Sequence, residues 1–413
     1  MPVVLLRLRC PCFPITANKQ LICIDRKRNR TSRRDPITIP LVIDHNEIER
    51  RKSFYRRVFD YQIVDHLPVF IRLKGATRPE HTIRWELENG KNQLEANFAW
   101  IERSLRLLPD DYIPVVRITQ GYLTIASMFG CQIHWSEDPN QPPGVMEPPI
   151  KSIDQIRALK RPGLDAGMMP ENLRRMRLFA ENMPLDVSLT GIDIGGPLNS
   201  LKDLLDTNLL YTAFYDYPQE VHALLDLLTD VQLECMQALI TAGGGLERFG
   251  SVDFDPVWHP RKYVGFSSDD VCATISPKTF QEFSLPYNDR LYAPWGSGGL
   301  HNCGPHPCRE MYVRHQNPLK YLNCSYRYSH KEYPALKQLF AGWGVIESSF
   351  DQNESADEML AGYREMMESL APDTIAIPIC VLNETWSDDD ITDLYHEMRK
   401  ISEEYASAMQ WAV

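Results

Sequence analysis

The chain has 413 residues, of which 43% are hydrophobic and 24% are charged, a balance typical of a soluble globular protein. Its formal net charge of −11 argues against nucleic acid as the main partner, because phosphate binding needs a basic surface. No apolar run approaches the roughly 18 residues of a membrane span, so no membrane association is expected.

The first 40 residues differ from the rest in charge. They contain nine Lys or Arg and two Asp, a net charge of +7, which leaves −18 for the other 373 residues. We interpret residues 1–40 as a basic, disordered extension; a transit-type presequence, which is also Arg-rich and poor in acids, is the alternative. The chain shows no secretory signal, and its ten cysteines are widely spread. These features predict a reducing, cytoplasmic setting.

Residues 41–111 are predicted to form an N-terminal helical cap segment. Asp44 and Asn46 can act as N-caps for an amphipathic helix that ends near residue 59. A second helical period lies at residues 92–108.

From residue 112 onward, short β-rich runs alternate with long helical ones. Seven runs are predicted as buried strands, at residues 113–118, 186–192, 247–254, 298–303, 319–324, 344–349 and 374–380. A helical period separates them at residues 218–241 and 355–370, and a last helix is predicted to begin at Ser387. This alternation indicates a parallel sheet and favours an α/β fold, a (β/α)₈ TIM barrel over residues 112–413, with the preceding segment as an N-terminal helical extension.

Three possible metal ligands lie at the ends of predicted strands. His301 and Cys303 are two residues apart, so both can face the same side of a strand. Cys380 ends a later strand, and the carboxyl ends of barrel strands converge on one face. Nitrogen and sulfur ligands suit zinc, and three of them would leave a fourth position open, as in catalytic sites. Two alternatives stay open: a buried thiol beside a hydrogen-bonded histidine, and a local site formed by Cys303, His306 and Cys308.

Several ordered blocks of the chain resemble one enzyme superfamily. The blocks are GIDIGGPLNSLKDLL (191–205), the helix from Pro218 to the AGG at 242–244, SDDVCATISPKTFQEFSLPY (268–287) and LHNCG (300–304). They are similar to blocks of the uroporphyrinogen decarboxylase superfamily, and the resemblance covers about residues 45–410. It implies a TIM barrel with its active site at the carboxyl ends of the strands.

Two branches of that superfamily imply different functions. The porphyrinogen decarboxylases use an Arg-Gln-Ala-Gly-Arg loop, whereas the nearest stretch here, residues 65–80, supplies only Arg72 and Arg78. The other branch consists of zinc-dependent methyltransferases whose ligands are His-x-Cys and a later Cys, a pattern that His301, Cys303 and Cys380 match. The resemblance therefore implies Zn²⁺ and methyl transfer between a small methylated substrate or thiol and a corrinoid-binding protein that carries methylcobalamin.

Further residues at strand ends are candidates for the active site. Glu347 and Asp255 are candidate catalytic acids, and Glu347 is also a candidate fourth zinc ligand. The candidate substrate-binding residues are Asp193, Trp258, His259, Asp270 and Tyr287. For each acid the alternative is a surface or capping carboxylate, and for the aromatic residues it is ordinary packing.

Two other functions are weighed against methyl transfer. The first is decarboxylation of a uroporphyrinogen-like tetrapyrrole, as in porphyrin biosynthesis, which needs a basic cleft that the net charge of −18 past residue 40 disfavours. The second is a non-catalytic barrel that binds a metal or a tetrapyrrole. Pairing of two such barrels into a homodimer is a further expectation.

Overall fold

The computed structural model describes residues 19–21, 41–73, 81–109, 111–255 and 257–411. Apart from Lys19–Leu21, the predicted basic extension lies outside the described residues. Across the part of the chain that is described, no helix combines the length and the apolar composition needed to cross a membrane.

Thirteen strands occur among the described residues. They are β1 (Lys19–Leu21), β2 (Val42–Asp44), β3 (Phe70–Leu73), β4 (Val115–Arg117), β5 (Ile133–His134), β6 (Gly144–Val145), β7 (Ser188–Thr190), β8 (Phe249–Ser251), β9 (Gly265–Ser268), β10 (Gly298–His301), β11 (Tyr321–Ser325), β12 (Val345–Phe350) and β13 (Ile375–Leu382). Two antiparallel pairs, β1 with β2 and β5 with β6, lie apart from the main sheets.

The same residues form sixteen α-helices. They are α1 (His45–Phe59), α2 (Ile83–Glu88), α3 (Gly90–Leu107), α4 (Thr124–Met128), α5 (Ile153–Arg157), α6 (Met169–Asn182), α7 (Pro197–Leu204), α8 (Thr207–Asp216), α9 (Pro218–Ala242), α10 (Pro277–Phe283), α11 (Leu285–Tyr292), α12 (Arg309–Tyr312), α13 (Tyr326–Ser329), α14 (Tyr333–Phe340), α15 (Ala356–Leu370) and α16 (Asp388–Ala408).

Nine parallel strands of the described chain make up the barrel. Six pair in the order β3-β13-β12-β11-β10-β9, and three pair in the order β4-β7-β8. The backbone N–H of Val252 donates to the carbonyl of Val264 at 2.9 Å, which joins the β8 edge of one sheet to the β9 edge of the other. The predicted α/β barrel is therefore confirmed, and all seven predicted strands are present within it.

Two barrel strands lack a counterpart in the sequence prediction. Strand β3 lies inside the predicted helical cap segment, yet it pairs in parallel with β13, so this segment supplies part of the barrel wall. Strand β9 follows β8 after a short 3₁₀ turn at Arg261–Tyr263, without an α-helix between them. Both strands have only four residues, which is too short for a clear alternating pattern.

The helices begin where capping residues allow. The Asp44 side chain accepts hydrogen bonds from the first turn of α1, as the sequence predicts. At α16 the Ser387 hydroxyl and the Asp390 carboxylate form a capping box. The apolar faces of these helices pack against the sheets and close the core around the barrel.

Candidate active site

The carboxyl ends of β9 and β10 bring three different ligand types together. His301 is the last residue of β10, Cys303 lies two residues later, and Asp270 begins the 3₁₀ helix after β9. The Nε2 of His301 lies 3.2 Å from the Sγ of Cys303 and 3.6 Å from the Oδ1 of Asp270. All three ligand atoms lie within 4.8 Å of one another. We call these residues the His–Cys–Asp group.

Cys380, the predicted third ligand, faces away from this group. In parallel strands, paired residues point to the same side, and Cys380 pairs with Phe350 of β12. Phe350 packs under α15 beside Gly362, so its side chain faces the helices outside the barrel. The structure therefore does not bring Cys380 to His301 and Cys303, and Asp270 lies beside these two residues instead.

The barrel register explains which positions of these strands face inward. His301 pairs with Asn323 of β11, Asn323 with Glu347 of β12, and Glu347 with Ile377 of β13. The first three side chains hydrogen-bond to one another, so this row points into the barrel. Cys380 lies three residues after Ile377, and successive strand residues alternate in direction. Its outward orientation follows from this register.

The local alternative to this group does not form either. The Sγ of Cys308 is buried and donates to the backbone carbonyls of Cys272 and Ile275, at 3.3 and 3.4 Å. The Nε2 of His306 lies 2.9 Å from the hydroxyl of Ser329. Burial lowers the pKa of His306 to about 4, so this ring is a neutral hydrogen-bonded core residue.

Hydrogen bonds hold the carboxylate of Asp270 in place. Its Oδ1 accepts from the backbone N–H of Cys303 at 3.0 Å, and its Oδ2 accepts from Asn199 at 3.2 Å and from Ser268 at 3.3 Å. Burial alone would raise the pKa of Asp270, but His301 and the hydrogen bonds from Cys303 and Asn199 keep this pKa below its ordinary value. The carboxylate is therefore ionised and available to a cation at neutral pH.

The Cys303 thiol has the opposite tendency. Burial, followed by the charge of Asp270, raises the pKa of the Cys303 thiol to about 12. The sulfur therefore keeps its proton at neutral pH unless a cation binds beside it.

Asn323 sets the protonation of the His301 ring. The Nδ2 of Asn323 donates to the carboxylate of Glu347 at 3.3 Å, which turns the Oδ1 of Asn323 toward the Nδ1 of His301 at 2.7 Å. The Nδ1 of His301 must then carry a proton, which leaves its Nε2 as the ring nitrogen that a metal can bind in place of a proton. This is the tautomer that a metal-binding histidine needs.

The residues of the His–Cys–Asp group fit a zinc ion. They offer one nitrogen, one sulfur and one oxygen, all of which are donors that zinc accepts, and three protein ligands leave a position open for a reacting group. The hydrogen bond behind the histidine completes the arrangement expected around a metal site.

Three further predicted residues form a separate buried group. Asp255, His259 and Glu347 are all inaccessible to solvent. The Nε2 of His259 lies 2.8 Å from Glu347 and 3.9 Å from Asp255. Burial, followed by the charge of Glu347, raises the pKa of Asp255 to about 7. The Asn323 side chain hydrogen-bonds to both Glu347 and His301, so Glu347 supports His301 from behind.

A cavity of 370 Å³ lies between the edge strands β3 and β4, and none of the described residues that line it belongs to the His–Cys–Asp group. Asp193, predicted to bind substrate, lines it together with Arg72 and Arg117. Burial raises the pKa of Asp193 to about 6, and the charges of both Arg117 and His301 act on this carboxyl. Asp193 therefore links this cavity electrostatically to His301.

Two other predicted substrate residues lie elsewhere. Trp258 packs against α1, with its ring centroid 6.3 Å from that of Tyr55 and the Arg56 guanidinium 5.4 Å from the ring. The hydroxyl of Tyr287 lies 2.7 Å from the Nδ1 of His222 on α9. These placements correct the expectation that Trp258 and Tyr287 shape the substrate pocket, because packing against helices occupies both side chains.

Sequence reasoning missed Asn323, Asn199 and Arg117. Two of them had a visible signal, since Arg117 interrupts the apolar run IPVVRI and Asn323 is the polar residue near the end of LKYLNC. A polar side chain inside an otherwise buried strand calls for a partner or a ligand. Asn199 lies in α7 and carries no such signal.

Comparisons with known proteins agree with this architecture. The model of the uroporphyrinogen decarboxylase (URO-D) family matches residues 55–248, which confirms the resemblance to that superfamily. No curated protein sequence matches the chain. A methyltransferase from Methanosarcina mazei has a similar solved structure, with a TM-score of 0.62 and 17% identity over 86% of this chain and 98% of its own. A B12-independent methionine synthase from a Shewanella species aligns with a TM-score of 0.45 and 10% identity over 82% and 97% of the two chains.

Proposed function

We propose that this chain is a zinc-dependent methyltransferase of the uroporphyrinogen decarboxylase superfamily, whose family model matches residues 55–248. It moves a methyl group between a small methylated substrate or a thiol and a corrinoid carried by a partner protein. The observation that carries the proposal is the convergence of His301, Cys303 and Asp270 at the carboxyl ends of two barrel strands. The fold shared with a methyltransferase is consistent with it.

The chain's own residues prepare this group for a metal. A bound zinc ion supplies a Lewis acid and keeps a coordinating thiol deprotonated. Asn323 orients the Nε2 lone pair of His301, and the Cys303 backbone N–H fixes the Asp270 carboxylate. Cys303 and Asp270 are partly accessible, so a reacting group can approach from the open side.

The methyl transfer itself requires a nucleophile and a proton. The methyl carbon leaves its donor atom without the bonding electrons, and the acceptor supplies the electron pair of the new bond. When a methylated heteroatom gives its methyl group to reduced cobalt, the heteroatom keeps the electrons of the broken bond and takes up a proton. When methylcobalamin gives its methyl group to a thiolate, the cobalt keeps those electrons and no proton is needed. Asp193 lines the cavity and has a pKa of about 6, so its carboxyl can donate that proton as a general acid.

Metal analysis tests the first half of the proposal. The purified protein should contain about one zinc per chain, and Cys303→Ala and Asp270→Ala should lose it while remaining folded. Cys308→Ala is the matched control, since it removes a buried thiol whose partners are backbone carbonyls, and it should keep the metal.

Spectroscopy of a supplied corrinoid tests the second half. The wild-type protein should convert cob(I)alamin to methylcobalamin when a methylated donor is added, or should transfer the methyl group of methylcobalamin to a thiol. The Cys303→Ala variant should catalyse neither reaction. A folded, metal-free protein that decarboxylates a porphyrinogen would refute the proposal.

A further inference from the structure

A second cluster of metal-ligating side chains is buried in the barrel, apart from the His–Cys–Asp group. Asp255, His259 and Glu347, which we call the Asp–His–Glu group, are all inaccessible to solvent. The Nε2 of His259 lies 2.8 Å from the Oε1 of Glu347 and 3.9 Å from the Oδ2 of Asp255. One ligand atom from each residue lies within 4.8 Å of the other two. The three side chains therefore converge on one point.

Each carboxylate of this group has one oxygen held by another part of the protein. The Oδ1 of Asp255 accepts a hydrogen bond from the backbone N–H of Val257 at 3.1 Å. The Oε2 of Glu347 accepts one from the Nδ2 of Asn323 at 3.3 Å. These bonds orient the two carboxylates, so that their other oxygens, the Oδ2 of Asp255 and the Oε1 of Glu347, face His259. Such outer hydrogen bonds are a regular feature of metal-binding carboxylates.

The ring of His259 is fixed in the same way. It stacks on the ring of Tyr321, with centroids 4.1 Å apart and planes only 9° from parallel, and its Nδ1 lies 3.4 Å from the Tyr321 hydroxyl. A hydrogen bond to the backbone of Gly250 also engages the ring. A histidine that binds a metal through one ring nitrogen uses the other nitrogen for a hydrogen bond of this kind. The Nε2 of His259 is therefore the atom presented to the two carboxylates.

The point where the three side chains meet lacks a positive centre. The buried Oδ2 of Asp255 has no hydrogen-bond donor among the described residues, and the carboxyl group within hydrogen-bonding reach of it belongs to Glu347. Two buried acceptors that face each other need a proton or a cation between them. Atoms bound at about 2.1 Å to one ion lie about 3.0 to 3.6 Å apart, and the distances of 2.8 and 3.9 Å from the Nε2 of His259 bracket this range.

We propose that the Asp–His–Glu group is a second metal site, which holds a divalent transition-metal ion of the Mn²⁺ type. Two carboxylate oxygens and an imidazole, without sulfur, form a harder donor set than the His–Cys–Asp group, and carboxylates suit Mn²⁺. The imidazole disfavours Mg²⁺ and Ca²⁺, which take oxygen ligands. The ion joins the connection between β8 and β9, which supplies Asp255 and His259, to Glu347 of β12, so its role is structural. This site does not depend on the proposed function.

Metal analysis of the full chain, produced in medium supplemented with Mn²⁺ and then desalted, tests this site. The wild-type protein should contain about one Mn²⁺ per chain, and Asp255→Asn and His259→Gln should contain none. Asp253→Asn is the matched control, because Asp253 is equally buried and only two residues away but does not belong to the group, so this variant should keep the Mn²⁺. Cys303→Ala should also keep the Mn²⁺ while it loses the zinc.

Thermal unfolding distinguishes a bound ion from a shared proton. In the Cys303→Ala background, refolding with Mn²⁺ should give a Tm several degrees above that obtained by refolding with EDTA, because an ion that binds only the folded chain stabilises it. Adding Asp255→Asn to this background should make the Tm independent of Mn²⁺. Asparagine has the shape of aspartate and removes one of the two buried charges, so this variant retains the packing of the group.

The outcomes separate this inference from the proposed function. A wild-type protein without Mn²⁺ whose Tm does not respond to Mn²⁺ would show a shared proton only and overturn the second site, as would Mn²⁺ retained in folded Asp255→Asn. Two zinc ions per chain, one of them lost in Asp255→Asn, would keep the site and overturn the choice of Mn²⁺. A wild-type protein that holds Mn²⁺ but no zinc would instead overturn the proposed function and leave the second site standing.

Discussion

Replacing Cys380 by alanine should leave the zinc content unchanged. The side chain lies on the face of β13 that contacts α15, whereas the His–Cys–Asp group lies inside the barrel mouth. Zinc binds its ligand atoms at about 2.0 to 2.3 Å, so a sulfur on the opposite face of the strand cannot join the group without a change of strand register. We therefore expect about one zinc per chain in both the wild type and Cys380→Ala.

The same substitution should lower stability by a small, measurable amount. Cys380 is completely inaccessible to solvent, and the change removes one heavy atom from the packing between β13 and the helices. Loss of burial for one such atom, together with the small void it leaves, corresponds to about 1 kcal/mol in the free energy of unfolding. Urea denaturation monitored by circular dichroism, with an unchanged m-value, would measure it.

Parallel measurements on Cys303→Ala complete the test. That variant should lose the zinc, although its thiol is less buried than that of Cys380. If Cys380→Ala folds with a normal circular dichroism spectrum but contains no zinc, the barrel register argued above and the role of Asp270 are both refuted.

Two other changes have defined outcomes. Asn323→Leu removes the acceptor behind His301, so zinc affinity should fall by about 10- to 100-fold in a chelator competition titration, and an unchanged affinity would contradict the proposed tautomer control. Lys320→Met removes a charge that burial disfavours, since burial lowers the pKa of Lys320 from 10.5 to about 8. Below pH 8 this lysine is charged in both the folded and the unfolded state, and its burial destabilises the folded protein by up to about 3 kcal/mol. Between pH 8 and 10.5 the lysine loses its proton in the folded state but keeps it in the unfolded state, so the free energy of unfolding rises with pH. The variant should therefore be more stable than the wild type in urea at pH 7, with little difference at pH 10.5, and an equal gain at both values would contradict this explanation.

The architecture could be predicted from local patterns. Period-2 runs such as residues 344–349 and period-3.6 runs such as residues 218–241 reappear as β12 and α9, because burying one face of an element imposes its period on the sequence. Capping residues such as Asp44 and Ser387 marked helix starts for a similarly local reason. His301 and Cys303 were found because they lie two residues apart at the end of one predicted strand.

The net charge of the chain was a weaker guide. A total of −18 past residue 40 argued against a basic cleft, but it could not indicate that Arg72 and Arg117 share one cavity with Glu86 and Asp193. Net charge sums over the whole surface, whereas a binding site depends on which few charges the strands bring to one wall.

What the sequence by itself determined was the alternation of strands and helices, the barrel and the His301–Cys303 pair. Only the tertiary structure decided which distant residue joins that pair. Cys380 and Asp270 both follow or end barrel strands, and nothing local distinguishes them. The pairing register turns Cys380 toward the helices, while the turn after β9 directs Asp270 toward His301 and Cys303. Successive side chains of a strand point to opposite faces of the sheet. Whether a residue faces the barrel interior or the helices therefore depends on the pairing register, which the neighbouring strands set.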